Sequence, residues 1–375
     1  MPKLRVLIVD DSVVIRRLVS DIIIGDPELE VAGVAPNGRI ALDRIPQVNP
    51  DIITLDVEMP EMDGLETLKE LRKTYPRLPV IMFSTVTQRG ATATIDALSL
   101  GASDYVTKPA NVGKVEEGIA RVRDDLIPKI KALCGRAVKI VAKPINSPVT
   151  RPVLVPRAPV RAPAARVEIV AIGTSTGGPN ALADLLPELP ETFPVPVVIV
   201  QHMPPVFTKL LADRLAAKSS LAIVEACANE ELRPGKIWIA PGNYHMGVEK
   251  SANGARIKLN QEPPENSCRP AVDALFRSVV QVYGAATLGV ILTGMGQDGL
   301  RGCEYIREGG GQILIQDEAS SVVWGMPGFV ARAGLADREL PLQQIAPEIV
   351  RRAWEGRAKP SVLEQKGAER AYFRN

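Results

Sequence analysis

Two groups of residues in this 375-residue chain could carry chemistry. The first group consists of polar residues that each follow a short apolar stretch: Asp10, Asp11, Asp56, Ser84 and Lys108. Carboxylates that lie close together raise each other's pKa, and a hard divalent cation such as Mg²⁺ relieves their repulsion. One carboxylate can then attack a phosphoryl group while the lysine neutralises its oxygens. The alternative, that each aspartate only caps a following helix, explains single positions better than the whole set.

The second group contains a serine and the only two histidines of the chain. Ser175 lies in Gly-Thr-Ser-Thr-Gly, a G-x-S-x-G pattern that would expose its hydroxyl at a strand-to-helix turn. A serine nucleophile requires a base. His202 directly follows the apolar stretch Val197–Gln201, which would bring it to the same sheet edge as Ser175. We predict His202 as this base and a structural role for His245, which we place in a loop beyond its strand.

Asp298 could orient the base, because it also follows an apolar stretch. Two alternatives remain at this point. Ser175 could be the N-cap of a plain glycine-rich turn. Residues Gly294–Gly299 also match G-x-G-x-x-G, and Asp317 ends the next strand at about the spacing of a ribose-binding acid. A dinucleotide site, as in a dehydrogenase, would leave Ser175 and His202 unexplained.

Alternating strand and helix patterns must position these residues, and they predict α/β architecture with doubly wound parallel sheets. In the first part, we predict strands at Leu4–Val9, Val31–Val34, Ile52–Leu55, Val80–Phe83 and Tyr105–Val106. The predicted helices there are Val13–Ile24, Gly38–Ile45, Gly64–Thr74, Thr92–Leu100 and Val112–Asp124. In the second part, we predict strands at Glu168–Ile172, Val197–Gln201, Ala222–Ala226, Lys236–Ile239, Leu288–Leu292 and Gln312–Gln316.

The charge distribution predicts where the domains end. The net charge is +2, yet residues 126–167 contain nine basic residues, no acidic residue and seven prolines. Proline disfavours both helix and sheet, so we predict a basic proline-rich linker at 126–166 that cannot pack into a core and that begins once a helix through about Leu133 has ended. The predicted domains are then 1–125 and 167–355, followed by a C-terminal tail at 356–375.

Composition excludes several classes of protein. Aromatic residues make up only 4%, which argues against a stacking surface for nucleic acid, and no apolar run is long enough to span a membrane. The amino terminus does not have the pattern of a signal peptide. The four cysteines are widely separated, which excludes zinc ribbons and disulfide scaffolds and favours a reducing, cytoplasmic location.

The first part resembles the receiver domain of bacterial two-component response regulators, a flavodoxin-like fold. The matching motifs are Leu7-Ile8-Val9-Asp10-Asp11-Ser12, Leu55-Asp56-Val57-Glu58-Met59-Pro60, Met62-Asp63-Gly64, Phe83-Ser84 and Thr107-Lys108-Pro109. The resemblance implies that Asp56 accepts phosphate from a histidine kinase, here one of a chemosensory system. It implies that Mg²⁺ binds at Asp10, Asp11, Asp56 and the Glu58 carbonyl. It also implies that Ser84 and Tyr105, with Lys108, act as the switch residues.

The second part resembles the catalytic domain of the chemotaxis protein-glutamate methylesterases, a Rossmann-like α/β fold. The matching motifs are Gly173-Thr174-Ser175-Thr176-Gly177-Gly178-Pro179, Gln201-His202-Met203, Ala240-Pro241-Gly242, Cys268-Arg269-Pro270-Ala271-Val272-Asp273 and Thr293-Gly294-Met295-Gly296-Gln297-Asp298-Gly299. The resemblance implies that Ser175, His202 and Asp298 are nucleophile, base and orienting acid. The Met295 amide would be an oxyanion donor.

The two resemblances together imply a function. They imply a phosphorylation-activated hydrolase that removes methyl groups from glutamate γ-methyl esters of chemoreceptor cytoplasmic domains, and that also deamidates receptor glutamines. Ester hydrolysis would need no cofactor. A receiver with a DNA-binding output is the alternative from another class, but residues 168–375 carry a net charge of −2 and show no helix-turn-helix pattern. We therefore expect neither a nucleic-acid partner nor membrane insertion.

Overall fold

A computed structural model describes residues 2–109, 115–135 and 165–358. The first unit has five strands and five helices in strict alternation. The strands are β1 (Leu4–Val9), β2 (Leu29–Ala35), β3 (Ile52–Asp56), β4 (Val80–Ser84) and β5 (Asp104–Thr107). The helices are α1 (Val13–Ile24), α2 (Gly38–Val48), α3 (Gly64–Thr74), α4 (Gln88–Ser99) and α5 (Val115–Leu133).

The strands of the first unit form one parallel sheet in the order β2-β1-β3-β4-β5. Every residue of β3 and β4 is buried, because helices cover both faces of the sheet. Parallel strands joined by helices place their carboxyl ends at one edge. Asp56 and Ser84 are the last residues of β3 and β4, so this edge brings them together as the sequence predicts.

The last helix of the first unit extends beyond the boundary that we predicted at residue 125. α5 continues to Leu133 and contains Pro128, which we had assigned to the linker. Leu126 and Ile130 are fully buried in the core of the first unit, so residues 126–133 belong to this unit and not to the linker. Apolar residues at four-residue spacing favour the helix strongly enough to accommodate one proline. The remainder of the predicted linker, 136–164, lies outside the described residues, as do 110–114 and tail residues 359–375.

The second unit is a larger parallel sheet of seven strands in the order β14-β13-β12-β6-β7-β9-β8. Its strands are β6 (Ile169–Thr174), β7 (Val197–Gln201), β8 (Ala222–Glu225), β9 (Lys236–Ile239), β12 (Thr287–Ile291), β13 (Gln312–Gln316) and β14 (Arg338–Leu340). Its helices are α6 (Gly178–Leu185), α7 (Phe207–Ala216), α8 (Val272–Tyr283), α9 (Leu300–Glu308), α10 (Met326–Arg332) and α11 (Leu342–Trp354). β6 and β7 lie side by side at the centre of this sheet.

Three strands of the second unit were not predicted. β10 (His245–Ser251) and β11 (Gly254–Asn260) form an antiparallel hairpin outside the main sheet, and β14 is only three residues long. The hairpin carries charged residues on its open face, so it lacks the continuous apolar run that revealed the buried strands. Our placement of His245 in a loop is therefore wrong, because this residue begins β10.

The two units contact each other. The ring of Tyr105 in β5 stacks on Phe207 at the start of α7, with 4.9 Å between ring centroids and 10° between ring planes. Asp96 of α4 forms an ion pair with Arg214 of α7. The Asn180 side chain of α6 donates a hydrogen bond of 3.3 Å to the Ala102 carbonyl. α4 and β5 thus face the helices that follow Ser175 and His202. In the part of the chain that the structure describes, no helix is long and apolar enough to cross a membrane.

Candidate phosphorylation site and candidate active site

The carboxylates of Asp10, Asp11 and Asp56 meet at the carboxyl edge of the first sheet. One oxygen from each lies within 4.8 Å of the others. Lys108 Nζ lies 2.8 Å from both Asp10 Oδ2 and Asp56 Oδ2. Burial raises the pKa of Asp56 to about 6, with a further rise from Asp10, although contact with Lys108 opposes both effects. The pocket therefore concentrates more negative charge than one lysine offsets.

This donor set fits Mg²⁺. Three carboxylate oxygens at this spacing are hard ligands for a small divalent cation, and the charge crowding at Asp56 is what such a cation would relieve. The Glu58 carbonyl accepts no hydrogen bond from any described residue, which leaves it available as a ligand. The Glu58 side chain points elsewhere, since it pairs with Arg89 at 3.2 Å.

The expected switch residues are both buried, and each makes a contact with a helix between the units. The Ser84 hydroxyl donates to the Gly90 carbonyl in α4 at 3.0 Å. The Tyr105 ring is 6% exposed because Phe207 of the second unit covers it. Ser84 is thus tied to α4 and Tyr105 to α7, and both of these helices lie in the contact between the two units.

The turn that carries Ser175 is built by close packing around glycines. Gly177 has a φ of +79°, which favours glycine, and it precedes α6 directly. A side chain at Gly294 would contact the Ser175 Cβ and amide nitrogen at about 3.0 Å, so the loop after β12 lies against the serine. The Ser175 amide donates to the Thr293 carbonyl at 3.1 Å, which fixes this contact. Ser175 itself is only half-buried.

His202 lies next to Ser175 because their strands are neighbours. Thr174 at the end of β6 pairs with Gln201 at the end of β7, and the next residue of each strand is Ser175 or His202. The Gln201 side-chain amide donates to the carbonyls of both residues, at 3.0 Å and 3.1 Å. The His202 amide donates to the Thr174 carbonyl at 3.2 Å. The sequence prediction that these two groups share an edge is therefore realised in the backbone.

Asp298, in the loop that follows a third strand, β12, contacts the His202 ring. His202 Nε2 and Asp298 Oδ2 are 2.7 Å apart, and both side chains are nearly buried. Burial alone would raise the pKa of Asp298, but His202 and the amides of Val272 and Asp273 lower it below its ordinary value. An ionised Asp298 only accepts hydrogen bonds, so Nε2 carries a proton, and Nδ1 is the nitrogen that is left without one when the ring is neutral. The free lone pair of that ring is then on Nδ1.

Asp298 also binds the first turn of α8. Its Oδ2 accepts from the Val272 amide at 2.7 Å, and its Oδ1 accepts from the Asp273 amide at 3.1 Å. The Asn266 side chain donates to the same Oδ1 at 2.9 Å and to Asp273 Oδ2 at 2.8 Å. α8 has no side-chain cap of its own, so Asp298 satisfies the orphan amides of its N-terminus. These bonds fix the carboxylate that holds the His202 ring.

The other ring nitrogen of His202 faces a cysteine. Nδ1 lies 3.6 Å from Cys268 Sγ, and among the described residues no hydrogen bond joins the ring to the Ser175 hydroxyl. Burial lowers the pKa of His202, but Cys268 and Asp298 outweigh burial and raise it above its usual value. The base and the nucleophile are therefore neighbours that are not yet paired in this arrangement.

Met295 lies in the loop that packs against Ser175. Within the described ranges, its amide and the Thr176 amide donate no hydrogen bond to the protein, so both are available to a substrate oxygen. Thr176 is the residue after the serine, the usual position of one oxyanion donor at a nucleophile turn. The sequence prediction named Met295 and missed Thr176, although the G-x-S-x-G pattern was sufficient to find it.

The dinucleotide alternative conflicts with the structure. A pyrophosphate would need the free amides at the N-terminus of α9. The Gly299 and Gly302 amides instead donate to Asp273 Oδ1 at 2.9 Å and 2.7 Å. Asp317, the expected ribose ligand, accepts hydrogen bonds from the amide and hydroxyl of Ser320. These amides and this carboxylate are therefore already occupied within the protein.

The His245 ring forms a hydrogen bond with a residue outside this site. It is 2% exposed, and its Nε2 lies 3.1 Å from the Pro263 carbonyl. No hydrogen bond of the described residues joins it to Ser175 or Asp298. The sequence analysis did not identify Cys268, Asn266 or Asp273 as residues around His202 and Asp298. Cys268 and Asp273 were nevertheless the two ends of one motif of the resemblance. Nothing in their spacing indicates that this segment folds back onto the His202 ring.

Comparison with known proteins finds a match for each of the two units. Residues 6–120 match the response regulator receiver domain, and residues 170–349 match the CheB methylesterase family. A protein-glutamate methylesterase/protein-glutamine glutaminase from Trichodesmium erythraeum is 57% identical over 352 residues, which cover 94% of this chain and 99% of that protein. A protein of the same name from a Nocardioides species is 53% identical over 364 residues, covering 97% and 98%. A third, from Maricaulis maris, is 46% identical over 384 residues, covering 93% and 95%. The chain therefore belongs to the protein-glutamate methylesterase/protein-glutamine glutaminase family, with a receiver domain ahead of the catalytic domain.

Proposed function

We propose that this protein hydrolyses glutamate γ-methyl esters of chemoreceptor cytoplasmic domains, with Ser175 as nucleophile, His202 as base and Asp298 as orienting acid. The observation that carries the proposal is the convergence of these three residues from β6, β7 and the loop after β12 at one sheet edge. The names of the relatives that cover nearly the whole chain support the ester and amide chemistry.

The contact between Asp298 and Nε2 supports one assignment of the atoms that move the proton. Asp298 holds Nε2, so Nδ1 of His202 takes the proton from the Ser175 hydroxyl as the oxygen attacks the ester carbon. For this step the ring lone pair must leave Cys268 and face Ser175. The amides of Met295 and Thr176 receive the developing oxyanion, and each donor of this kind contributes about 3 kcal/mol. Methanol leaves with the proton from Nδ1, and water then releases the glutamate carboxylate.

The same acyl-enzyme can form from a glutamine side chain, with ammonia as the leaving group. Its protonation by His202 Nδ1 follows the route proposed for methanol. We therefore propose receptor glutamine deamidation as a second activity of the one site. No cofactor takes part in either hydrolysis.

We propose that Asp56 accepts a phosphoryl group from a chemosensory histidine kinase. Asp10, Asp11, Asp56 and the Glu58 carbonyl would hold Mg²⁺, which offsets the charge of the incoming phosphate. Lys108 already contacts Asp56 and would then bind the phosphoryl oxygens. Ser84 and Tyr105 are the proposed switch pair, since a move of Ser84 toward the phosphate would release its bond to α4.

Regulation follows from the contact between the units. In the docked arrangement, α4 and β5 hold α6 and α7, the two helices that begin directly after the catalytic turns. We propose that docking restricts access to Ser175 and that phosphorylation favours the undocked state. The partners are thus the kinase and the methylated receptors, met in the cytoplasm and without nucleic acid or membrane insertion.

Release of methanol from methylated receptor tests the proposal. Ser175→Ala should abolish release while phosphorylation of Asp56 by a small phosphodonor continues, because Ser175 lies outside the acidic pocket. Asp56→Ala should show the reverse, with basal release retained and its stimulation by phosphodonor lost. Continued methanol release by Ser175→Ala would refute the assignment of the nucleophile.

A further inference from the structure

We propose that Cys268 and His202 form an inhibitory binding site for a thiophilic divalent cation such as Zn²⁺. The cation would be ligated by Cys268 Sγ and by Nδ1 of His202, with water in the remaining positions. This inference rests on the proposed function for its effect on hydrolysis, but not for the binding itself.

The spacing of the two ligand atoms fits one tetrahedral zinc ion. Zinc–sulfur bonds of about 2.3 Å and zinc–nitrogen bonds of about 2.0–2.1 Å, at a tetrahedral angle, separate sulfur from nitrogen by roughly 3.6 Å. The observed separation of Sγ and Nδ1 is 3.6 Å. The separation of the two ligand atoms therefore already matches that of a bound ion.

Asp298 prepares the histidine as a ligand. The hydrogen bond from Nε2 to Asp298 leaves Nδ1, the atom that faces the sulfur, as the nitrogen that can bind a metal once any proton on it is released. A carboxylate that accepts from the far nitrogen of a ligating histidine is a recurrent feature of zinc sites, where it orients the ring and raises its basicity. The order along the site is thus the Asp298 carboxylate, the His202 imidazole, the metal position and the Cys268 thiolate.

The loop that carries Cys268 holds the thiol in place. Glu265 and Cys268 exchange two backbone hydrogen bonds of 3.1 Å and 2.8 Å, and the two residues between them both have positive φ, +50° at Asn266 and +64° at Ser267. The Glu265 carboxylate forms an ion pair of 2.6 Å with Arg277 in α8. Non-glycine residues adopt this conformation only where their surroundings impose it. The sulfur is therefore preorganised toward the ring.

Binding would remove the atom that hydrolysis requires. The thiol of Cys268 loses its proton to solvent as the sulfur–zinc bond forms, and the Nδ1 lone pair becomes the second bond. That lone pair is the proposed acceptor for the Ser175 proton, so the metal-bound enzyme cannot activate its nucleophile.

Cobalt titration of the full-length, chelator-treated protein tests the site directly. Co²⁺ bound by a thiolate gives a sulfur-to-metal charge-transfer band, which cobalt at the carboxylates of Asp10, Asp11 and Asp56 does not give. We expect the band for the wild type and for Ser175→Ala, and its displacement by one equivalent of Zn²⁺. We expect its loss in Cys268→Ser. Cys227→Ser is the matched control and should keep the band, since Cys227 is exposed and distant in sequence.

Inhibition provides the second readout. Zn²⁺ should inhibit methanol release by the wild type, and a chelator should restore it. Cys268→Ser should need at least about tenfold more Zn²⁺ for the same inhibition. An unchanged band in Cys268→Ser would overturn the site, and so would full hydrolysis by zinc-saturated wild type. A chain that binds cobalt through Cys268 but hydrolyses no ester would refute the proposed function and leave the metal site intact.

Discussion

Replacement of Tyr105 by alanine should release the catalytic domain from the receiver without any phosphodonor. The Tyr105 ring is nearly buried and stacks on Phe207 at 4.9 Å between centroids. A stacked aromatic pair contributes about 0.5–1.5 kcal/mol beyond its buried area, and burial of a large apolar side chain contributes about 1.5–3 kcal/mol. Only part of that burial arises from docking, so we expect the variant to lose about 2 kcal/mol of docking free energy.

A loss of about 2 kcal/mol changes the docking equilibrium roughly 30-fold. If docking limits access to Ser175, basal methanol release should rise by about that factor, up to the rate of the phosphorylated wild type. The assay is methanol release from methylated receptor with unphosphorylated protein. Phosphodonor should then stimulate Tyr105→Ala much less than the wild type, because little docked protein remains.

Tyr75→Ala is the control for a general loss of stability. Tyr75 is a half-buried residue at the end of α3 and makes no hydrogen bond or ring contact with the described residues of the second unit. It should lower the melting temperature of the receiver while leaving basal methanol release unchanged. An unchanged basal rate in a folded Tyr105→Ala protein would refute the reasoning that docking holds the site closed.

Three further predictions follow from single contacts. Arg214→Ala should raise basal methanol release only about two- to fivefold, because its ion pair with Asp96 is partly exposed and such pairs contribute less than about 1 kcal/mol. Asp56→Asn should stabilise the metal-free protein by on the order of 2 kcal/mol at pH 7.5, measured by denaturant unfolding, because burial raises the pKa of Asp56 to about 6. Since the pKa of Asp56 is raised in the folded state, the free energy of unfolding of the wild type should fall as the pH rises from about 4 to 6, and the gain from Asp56→Asn should vanish by about pH 3.5. Mg²⁺ should stabilise only the wild type. Asn266→Ala should lower kcat about tenfold with little change in KM, since Asn266 holds Asp298 but would not touch substrate; a changed KM with unchanged kcat would contradict this.

The strands that carry the chemistry were predictable because they are buried on both faces. Val197–Val200 is an uninterrupted apolar run, the predicted strand Val197–Gln201 has the observed bounds, and its end locates His202. The same rule located Asp56 and Ser175, since each lies at or directly after the end of such a strand. Asp298 was harder, because six residues separate it from Ile291 at the end of β12. Its position after an apolar stretch still indicated it, because Asp298 is the one carboxylate between Ile291 and the start of α9.

The contacts between distant segments were not predictable from spacing. Cys268 is 66 residues from His202, and it reaches the ring because two consecutive positive-φ residues turn its loop back toward β7. Neither Asn266 nor Ser267 is a glycine, so the sequence gives no signal for that turn. The boundary of the first domain at residue 125, rather than the helix expected through about Leu133, was misplaced for a different reason. Proline and basic charge suggested a linker, but burial of Leu126 and Ile130 against the first sheet outweighs the cost of Pro128.

The contacts between the units connect the proposed switch residues to the catalytic helices. Apolar side chains of α4 and β5 share one buried cluster with those of α7, beside the stacked ring pair, the partly exposed ion pair and the hydrogen bond of 3.3 Å. Moving a two-state equilibrium from 1:99 to 99:1 requires about 5.5 kcal/mol of differential binding. Charge-assisted bonds from phosphorylated Asp56 to Lys108 and Ser84 would be of comparable strength. Because Ser84 is bonded to α4 and Tyr105 packs on α7, a phosphoryl group that draws Ser84 toward it would act on the helices that form this cluster.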